Sequence, residues 1–190
     1  YSDHLLEDAW TFGGNATFYL PFGASDDTYL SFDYFGTRFA EQMVVDYEHG
    51  LNAIDFYALG GKRSYSNNYQ VDFNVEAFRR FTVSATFRYT DAKVELEGRG
   101  LVERPMTSRY KGVLNLQYAT NLNKWIFDFT ASVNGKSRVY EFMKGLRGED
   151  GELLYKDGYT PVYPLLYLQV TKRFKGVDLY LGAENLTNFR

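Results

Sequence analysis

The chain is predicted to be all-β, an antiparallel meander of about eight long strands. Three observations predict it. Side chains alternate apolar and polar over stretches of about ten residues, the period of a strand with one apolar face. Aromatic residues make up 18% of the 190, with 17 Tyr and 16 Phe, and such rings favour a pleated surface. Gly is frequent at 17 and Pro rare at 4, and so rich an aromatic content is not that of a disordered chain.

The alternation is clearest at 81–89, where Phe81, Val83, Ala85, Phe87 and Tyr89 oppose Thr82, Ser84, Thr86 and Arg88. It recurs where Tyr69, Val71, Phe73 and Val75 oppose Gln70, Asp72, Asn74 and Glu76. Trp125, Phe127, Phe129 and Ala131 likewise oppose Asp128, Thr130 and Ser132. Weaker copies run through Trp10 to Leu20, Leu30 to Tyr34, Tyr110 to Tyr118, Leu166 to Val170 and Val177 to Ala183. The resulting strands are 8–21, 28–47, 62–77, 80–97, 107–119, 123–140, 162–173 and 176–187.

The connections fall into two alternating sets. Those at 23–27, 78–80, 121–123 and 174–176 are short; those at 48–61, 98–106 and 141–160 are long and polar. A transmembrane barrel has this asymmetry, with tight turns at one rim and long loops at the other. A further short strand is expected at 53–59. A small hairpin is expected within 141–160, where Asp150-Gly151 and Asp157-Gly158 favour tight turns.

Alternation alone does not say which face points inward, and a soluble sandwich or ligand-binding barrel shares it. The length of the strands points to a membrane barrel. So do aromatic strand ends at Trp10, Tyr89, Tyr118, Trp125 and Tyr163, where an interfacial girdle would lie. Polar faces carrying Asp72, Glu76, Arg88, Lys111 and Asp128 would be costly in a dry core but suit a wet lumen. Mean hydropathy is −0.39, and no run of about 18 apolar residues could form a transmembrane helix. The net charge of −3 argues against nucleic acid as a partner. The absence of Cys removes disulfides, thiolate metal sites and thiol nucleophiles. His4 and His49 stand alone, the acids Glu149, Asp150 and Glu152 lack a calcium-loop pattern, and no nucleotide-binding glycine loop is present. No metal or other cofactor is expected. An envelope enzyme would need a Ser–His pair near the outer rim, and the chain is read as a non-enzyme.

Gly182-Ala183-Glu184-Asn185-Leu186-Thr187-Asn188 resembles the G-x-E-N-L-x-N stretch near the end of TonB-dependent outer-membrane receptors. The segment 164–174 resembles their penultimate strand. Other stretches match in order. Asn68-Tyr69-Gln70-Val71-Asp72-Phe73-Asn74-Val75-Glu76 is similar to the family's G-x-E-x-E strand, without its Gly. The segment 81–91 is similar to its L-S-A-S-Y-T-Y-T-D-A strand. Arg104-Pro105 with 110–118 is similar to R-P-x-H-x-x-x-L-x-L-x-Y, and 6–13 to L-K-P-E-x-A-W-x-Y-G. The flavour is that of the Bacteroidetes siderophore and vitamin receptors.

The resemblance implies that residues 1–190 are the C-terminal part of a 22-stranded outer-membrane β-barrel, without its plug and final strand. It implies wall and extracellular loops of a receptor that imports a siderophore, haem, cobalamin or similar scarce complex. Its partners would be outer-membrane lipid, the rest of the barrel and plug, and the TonB complex acting through the plug. The other reading is a self-contained eight-stranded barrel with a structural or adhesion role. Loop residues combining rings and charge are the candidate ligand contacts: Arg63, Tyr65, Arg99, Arg104, Arg138, Tyr140, Arg147 and Tyr155. Arg offers a planar fork for anionic groups, although loop charges of this kind are also ordinary solvated residues. None matches a ligand-contact motif of the family.

Overall fold

The computed structural model describes residues 6–50 and 52–189; His4 lies outside them. The chain is an all-β antiparallel meander. Eight long strands follow one another as β1 (Asp8–Tyr19), β2 (Tyr29–Glu41), β5 (Ser64–Phe78), β6 (Phe81–Leu96), β8 (Tyr110–Ala119), β9 (Trp125–Asn134), β10 (Tyr163–Phe174) and β11 (Val177–Ala183), in sheet order β1-β2-β5-β6-β8-β9-β10-β11. Each pairs with its neighbour in the chain path. A ninth strand, β7 (Gly100–Glu103), extends the outer end of β6. Strands β3 (Met43–Asp46) and β4 (Asp55–Ala58) form a separate hairpin. The sheet is open among the described residues, with β1 and β11 as its two edges.

The period of two carries through the pairings, shifted only at Asp8/Ala9 and at Glu76/Phe78, so each face is a set of rows. One polar row crosses Asp33, Gln70, Arg88, Lys111 and Asn134; another crosses Asn74, Ser84, Asn115 and Thr130. Neighbours in the second row are hydrogen-bonded: Asn115 Nδ2 donates to Thr130 Oγ1 at 2.9 Å, and Ser84 Oγ to Asn74 Oδ1 at 2.7 Å. Cross-strand pairs of this kind fix register.

The opposite face is apolar, and its middle rows are aliphatic and phenyl. Leu30, Phe73, Ala85, Leu114, Ala131 and Leu166 stand side by side. Toward the long loops this face ends in a tyrosine row, Tyr34, Tyr69, Tyr89 and Tyr110. Toward the short turns it ends in Phe78, Phe81, Tyr118 and Phe127. Nearby, the Lys172 ammonium sits 4.2 Å from the centroid of the Trp125 ring, a charge carried at the rim on an apolar stem. The two belts are about 27 Å apart along β6 at ~3.4 Å per residue. This face is exposed at Phe87, Leu114 and Leu168 among others and otherwise mostly half-buried, with Val75 buried.

The hydrophobic cluster of the described residues lies at the loop end of the polar face. There the β3–β4 hairpin folds over the sheet. Val44 and Leu59 bury themselves against Val94 and Leu96, with Phe39, Tyr57 and Val102 around them.

Three expectations are corrected. The strand expected over 28–47 breaks at Gln42. Met43-Val44-Val45 is a consecutive apolar run that does not alternate, and it pairs with β4 rather than β5. Gln42 makes the corner: its carbonyl accepts the Leu59 N–H at 2.8 Å and its side chain accepts the Ser64 hydroxyl at 2.8 Å. The last strand ends at Ala183, not 187. Positive φ at Asn185 and Asn188 turns the chain back, and the Thr187 hydroxyl donates to the Pro164 carbonyl. Tyr163 does not join a girdle. Its register with Asn134 places it on the polar face, where its ring stacks on Phe189.

The remaining strand ends differ by a few residues; the second half of 123–140 continues only as isolated bridges, Ser108 to Ser137 and Arg138 to Tyr159. The expected strand within 53–59 is β4. The expected small hairpin is a turn closed by the Arg147–Leu153 bridge.

Gly23 opens the first short connection with φ of +100°, and a Cβ there would stand 2.9 Å from the Glu76 carbonyl oxygen and 2.8 Å from Thr28 Oγ1. Gly23→Ala is therefore expected to destabilise the sheet by more than about 1 kcal/mol, read as a lower urea midpoint. An unchanged midpoint would mean that the turn relaxes freely.

Candidate functional site

The three long connections meet at the loop end of the sheet, and one buried carboxylate joins them. Glu48 lies in the β3–β4 turn with its side chain 1% exposed. It accepts from both terminal nitrogens of Arg138, at 2.6 Å from Nη1 and closer from Nη2. Its other oxygen accepts the Glu141 backbone N–H at 2.8 Å and lies 3.9 Å from Arg99 Nη1. Arg99 also faces the Glu141 carboxylate at 3.8 Å. One acid thus ties the hairpin, the segment after β6 and the segment after β9. A buried carboxylate with this many donors is satisfied, and an arginine that donates twice to one of its oxygens holds it in place.

Neighbouring groups are tuned by the same crowding. Burial raises the Tyr140 phenol above its ordinary value, with Tyr47 and Glu48 adding to the effect; its ring packs edge-on against Tyr47. Burial likewise raises Tyr57, whose hydroxyl reaches Asp46 at 3.4 Å. The Glu141 carboxyl is held below its ordinary value, chiefly by the hydrogen bond from Lys144 at 2.6 Å. A carboxyl depressed in the folded state stabilises it above the ordinary carboxylate range, and that contribution is lost as pH falls through the depressed value.

Beside the clamp opens a cleft of about 340 Å³ between β3 and the outer end of β6, lined by Val44, Tyr47, Val94, Leu96, Arg104 and Tyr140 among others. A second cleft, of about 390 Å³, adjoins it on the polar face of the sheet; Arg104 and Thr107 line both. It carries Arg88 and Lys111 with hydroxyls and amides. Such adjoining concave spaces, one partly apolar and one polar, can seat a small molecule with an apolar body and a charged end.

Of the eight candidates, four converge here. Arg99 and Arg138 hold the clamp, and Tyr140 and Arg104 line the first cleft. The Arg104 guanidinium lies over the Phe39 ring at 5.4 Å. The other four stand apart. Arg63 pairs with Glu95 at 3.5 Å. The Tyr65 ring lies under Arg38 at 5.1 Å. Arg147 caps its own hairpin by donating to the Gly151 carbonyl at 2.7 Å. Tyr155 is half-buried, and its carbonyl accepts the Gly158 N–H. Arg138, deeply buried and paired, is held for structure rather than free for a ligand. His49 lies 3.9 Å from Asp55 at the surface.

Glu48, Arg88 and Lys111 were not among the candidates. Arg88 and Lys111 sit within strands rather than loops. Glu48 begins a long polar connection, and nothing in its sequence neighbourhood marks it as buried. The chain matches no protein-family model, and no curated protein matches it.

Proposed function

We propose that this chain is wall and outer-loop structure of a TonB-dependent outer-membrane receptor that takes up a scarce nutrient complex such as a siderophore, haem or cobalamin. The observation that carries the reading is the apolar face of the sheet. It is broad and continuous, exposed or half-exposed nearly throughout, and it runs between a tyrosine row and a phenylalanine-rich row. Exposed apolar area on this scale calls for a covering surface. A band bounded by two aromatic rows has the layout of a bilayer-facing barrel wall; tilt reduces the ~27 Å along the strand to roughly 20 Å between the rows, against about 25 Å for such a band. The polar face then borders a lumen, and the clefts open at its outer mouth.

The open edges at β1 and β11 fit a piece of a larger barrel, because an unpaired edge in lipid costs several kcal/mol per group. The activity is binding and gated passage rather than catalysis. Energy would reach the protein through a plug contacted by the TonB complex.

The test is made on the complete polypeptide in the cells that carry it. Fractionation is expected to recover it from the outer membrane, migrating faster before boiling than after. Deleting its gene is expected to abolish accumulation of one labelled ferric siderophore, haem or cobalamin. Recovery from a soluble fraction would overturn the reading.

A further inference from the structure

We propose that the cleft on the polar face of β6 and β8 binds a small polyanion, carrying two or more carboxylate or phosphate-type groups, through Arg88, Lys111 and Arg104. The proposal rests on the receptor reading only in calling that anion the cargo or part of it.

Arg88 and Lys111 are direct register partners on adjacent strands. Like charges placed opposite one another destabilise a sheet, and here the residues directly flanking the pair offer no counter-charge. Gln70 flanks Arg88 and Asn134 flanks Lys111, both neutral amides. Acids stand further off, Asp72 diagonal to Arg88 and Asp33 beyond Gln70, and neither forms an ion pair with Arg88 or Lys111; each is hydrogen-bonded to neutral donors instead. Asp72 accepts from Gln70 Nε2 at 2.8 Å on one oxygen and from Thr86 on the other, and Asp33 accepts from Asn15 at 2.7 Å. Among the described residues, none of the three cations is in an ion pair, and no acidic residue lines the cleft. The chain as a whole is acidic, with a net charge of −3, so three cations gathered without an ion-pair partner among the described residues are a local feature.

The chemistry of the lining suits an oxyanion. Two guanidinium forks can each hold a carboxylate or phosphate edge by paired hydrogen bonds, and the ammonium adds a point charge. Ser66, Thr90 and Ser108 supply hydroxyls around them. A volume of about 390 Å³ accepts a small molecule. A bound anion would turn the Arg88–Lys111 repulsion into attraction on both sides.

The experiment is calorimetric titration of the complete detergent-purified protein at fixed ionic strength, with inorganic pyrophosphate and, separately, with tricarballylate. Saturable binding of at least one is expected, and which one separates the phosphate from the carboxylate class. Arg88→Gln with Lys111→Gln should weaken it at least tenfold, while Lys175→Gln, at the opposite rim, leaves it unchanged and controls for bulk charge. Arg104→Gln, outside the strands and so independent of their pairing, should weaken it several-fold. Absence of saturable binding, or wild-type affinity in the double variant and in Arg104→Gln, would overturn the proposal. The titration does not depend on location or uptake, so its failure and failure of the receptor reading are told apart.

Discussion

Glu48→Ala is expected to release the outer loops while leaving the sheet intact. The substitution strips the Arg138 guanidinium of its main partner in a place where that side chain is 11% exposed. Among the described residues, the Val139 carbonyl, 3.2 Å from Arg138 Nη1, remains as its one hydrogen-bond acceptor. Leaving a buried charge uncompensated costs about 3–5 kcal/mol. The Glu141 N–H loses its acceptor in the same step. The loss is local, because the clamp touches loops and not the strand ladder. Amide exchange should rise by two to three orders of magnitude in segments 43–58 and 137–160, and stay near its wild-type rate in 66–76 and 82–92. Glu48→Gln keeps an acceptor without the charge and should fall between. Unchanged loop exchange in Glu48→Ala would show that the three connections are held by something else.

The second large effect concerns the apolar face. Leu114 stands in its middle row, between Ala85 and Ala131. Leu114→Arg should cost about 2–4 kcal/mol if that row faces hydrocarbon, with the cost falling toward either rim. Ser132→Arg, one row away on the polar face, should cost less than about 1 kcal/mol, because a lumen position keeps its water. The pair is compared by urea unfolding in lipid bilayers and by the fraction of protein that assembles. Equal costs at the two positions would remove the asymmetry on which the membrane reading depends.

The strands were legible because their information is local. A side chain two residues on shares the face, so alternation survives without knowledge of any partner. The alternation of short and long connections was legible for the same reason, and the structure carries all the long ones to one end. Three kinds of feature were not legible. The break at Gln42 looked like continued strand, since Met43-Val44-Val45 is apolar enough for either state and only its pairing with β4 decides. Tyr163 looked like a girdle residue until its register with Asn134 assigned its face.

The site itself was least legible. Glu48 and Arg138 are 90 positions apart. Arg88 and Lys111 become neighbours only when β6 pairs with β8. Among the candidates drawn from loops, Arg104 and Tyr140 do line the cleft, while Arg63 pairs with Glu95 on β6 and Arg147 caps its own hairpin. A charged residue in a loop is told apart from a ligand contact by what else folds beside it, and that is long-range information.

The most direct measurement is of which face meets lipid. The chain has no Cys, so single cysteines can be placed at will at 83, 84, 85, 86, 87 and 88 along β6 in the complete polypeptide, in its own membrane. Each is challenged with a lipid-soluble maleimide and with a charged, water-soluble thiosulfonate. The expected result alternates strictly. Positions 83, 85 and 87 react with the lipid-soluble reagent and resist the charged one, and positions 84, 86 and 88 do the reverse. Charged-reagent access to 83, 85 and 87, or protection of all six positions from both reagents, would contradict the account, because the apolar face would then be wet or packed against protein.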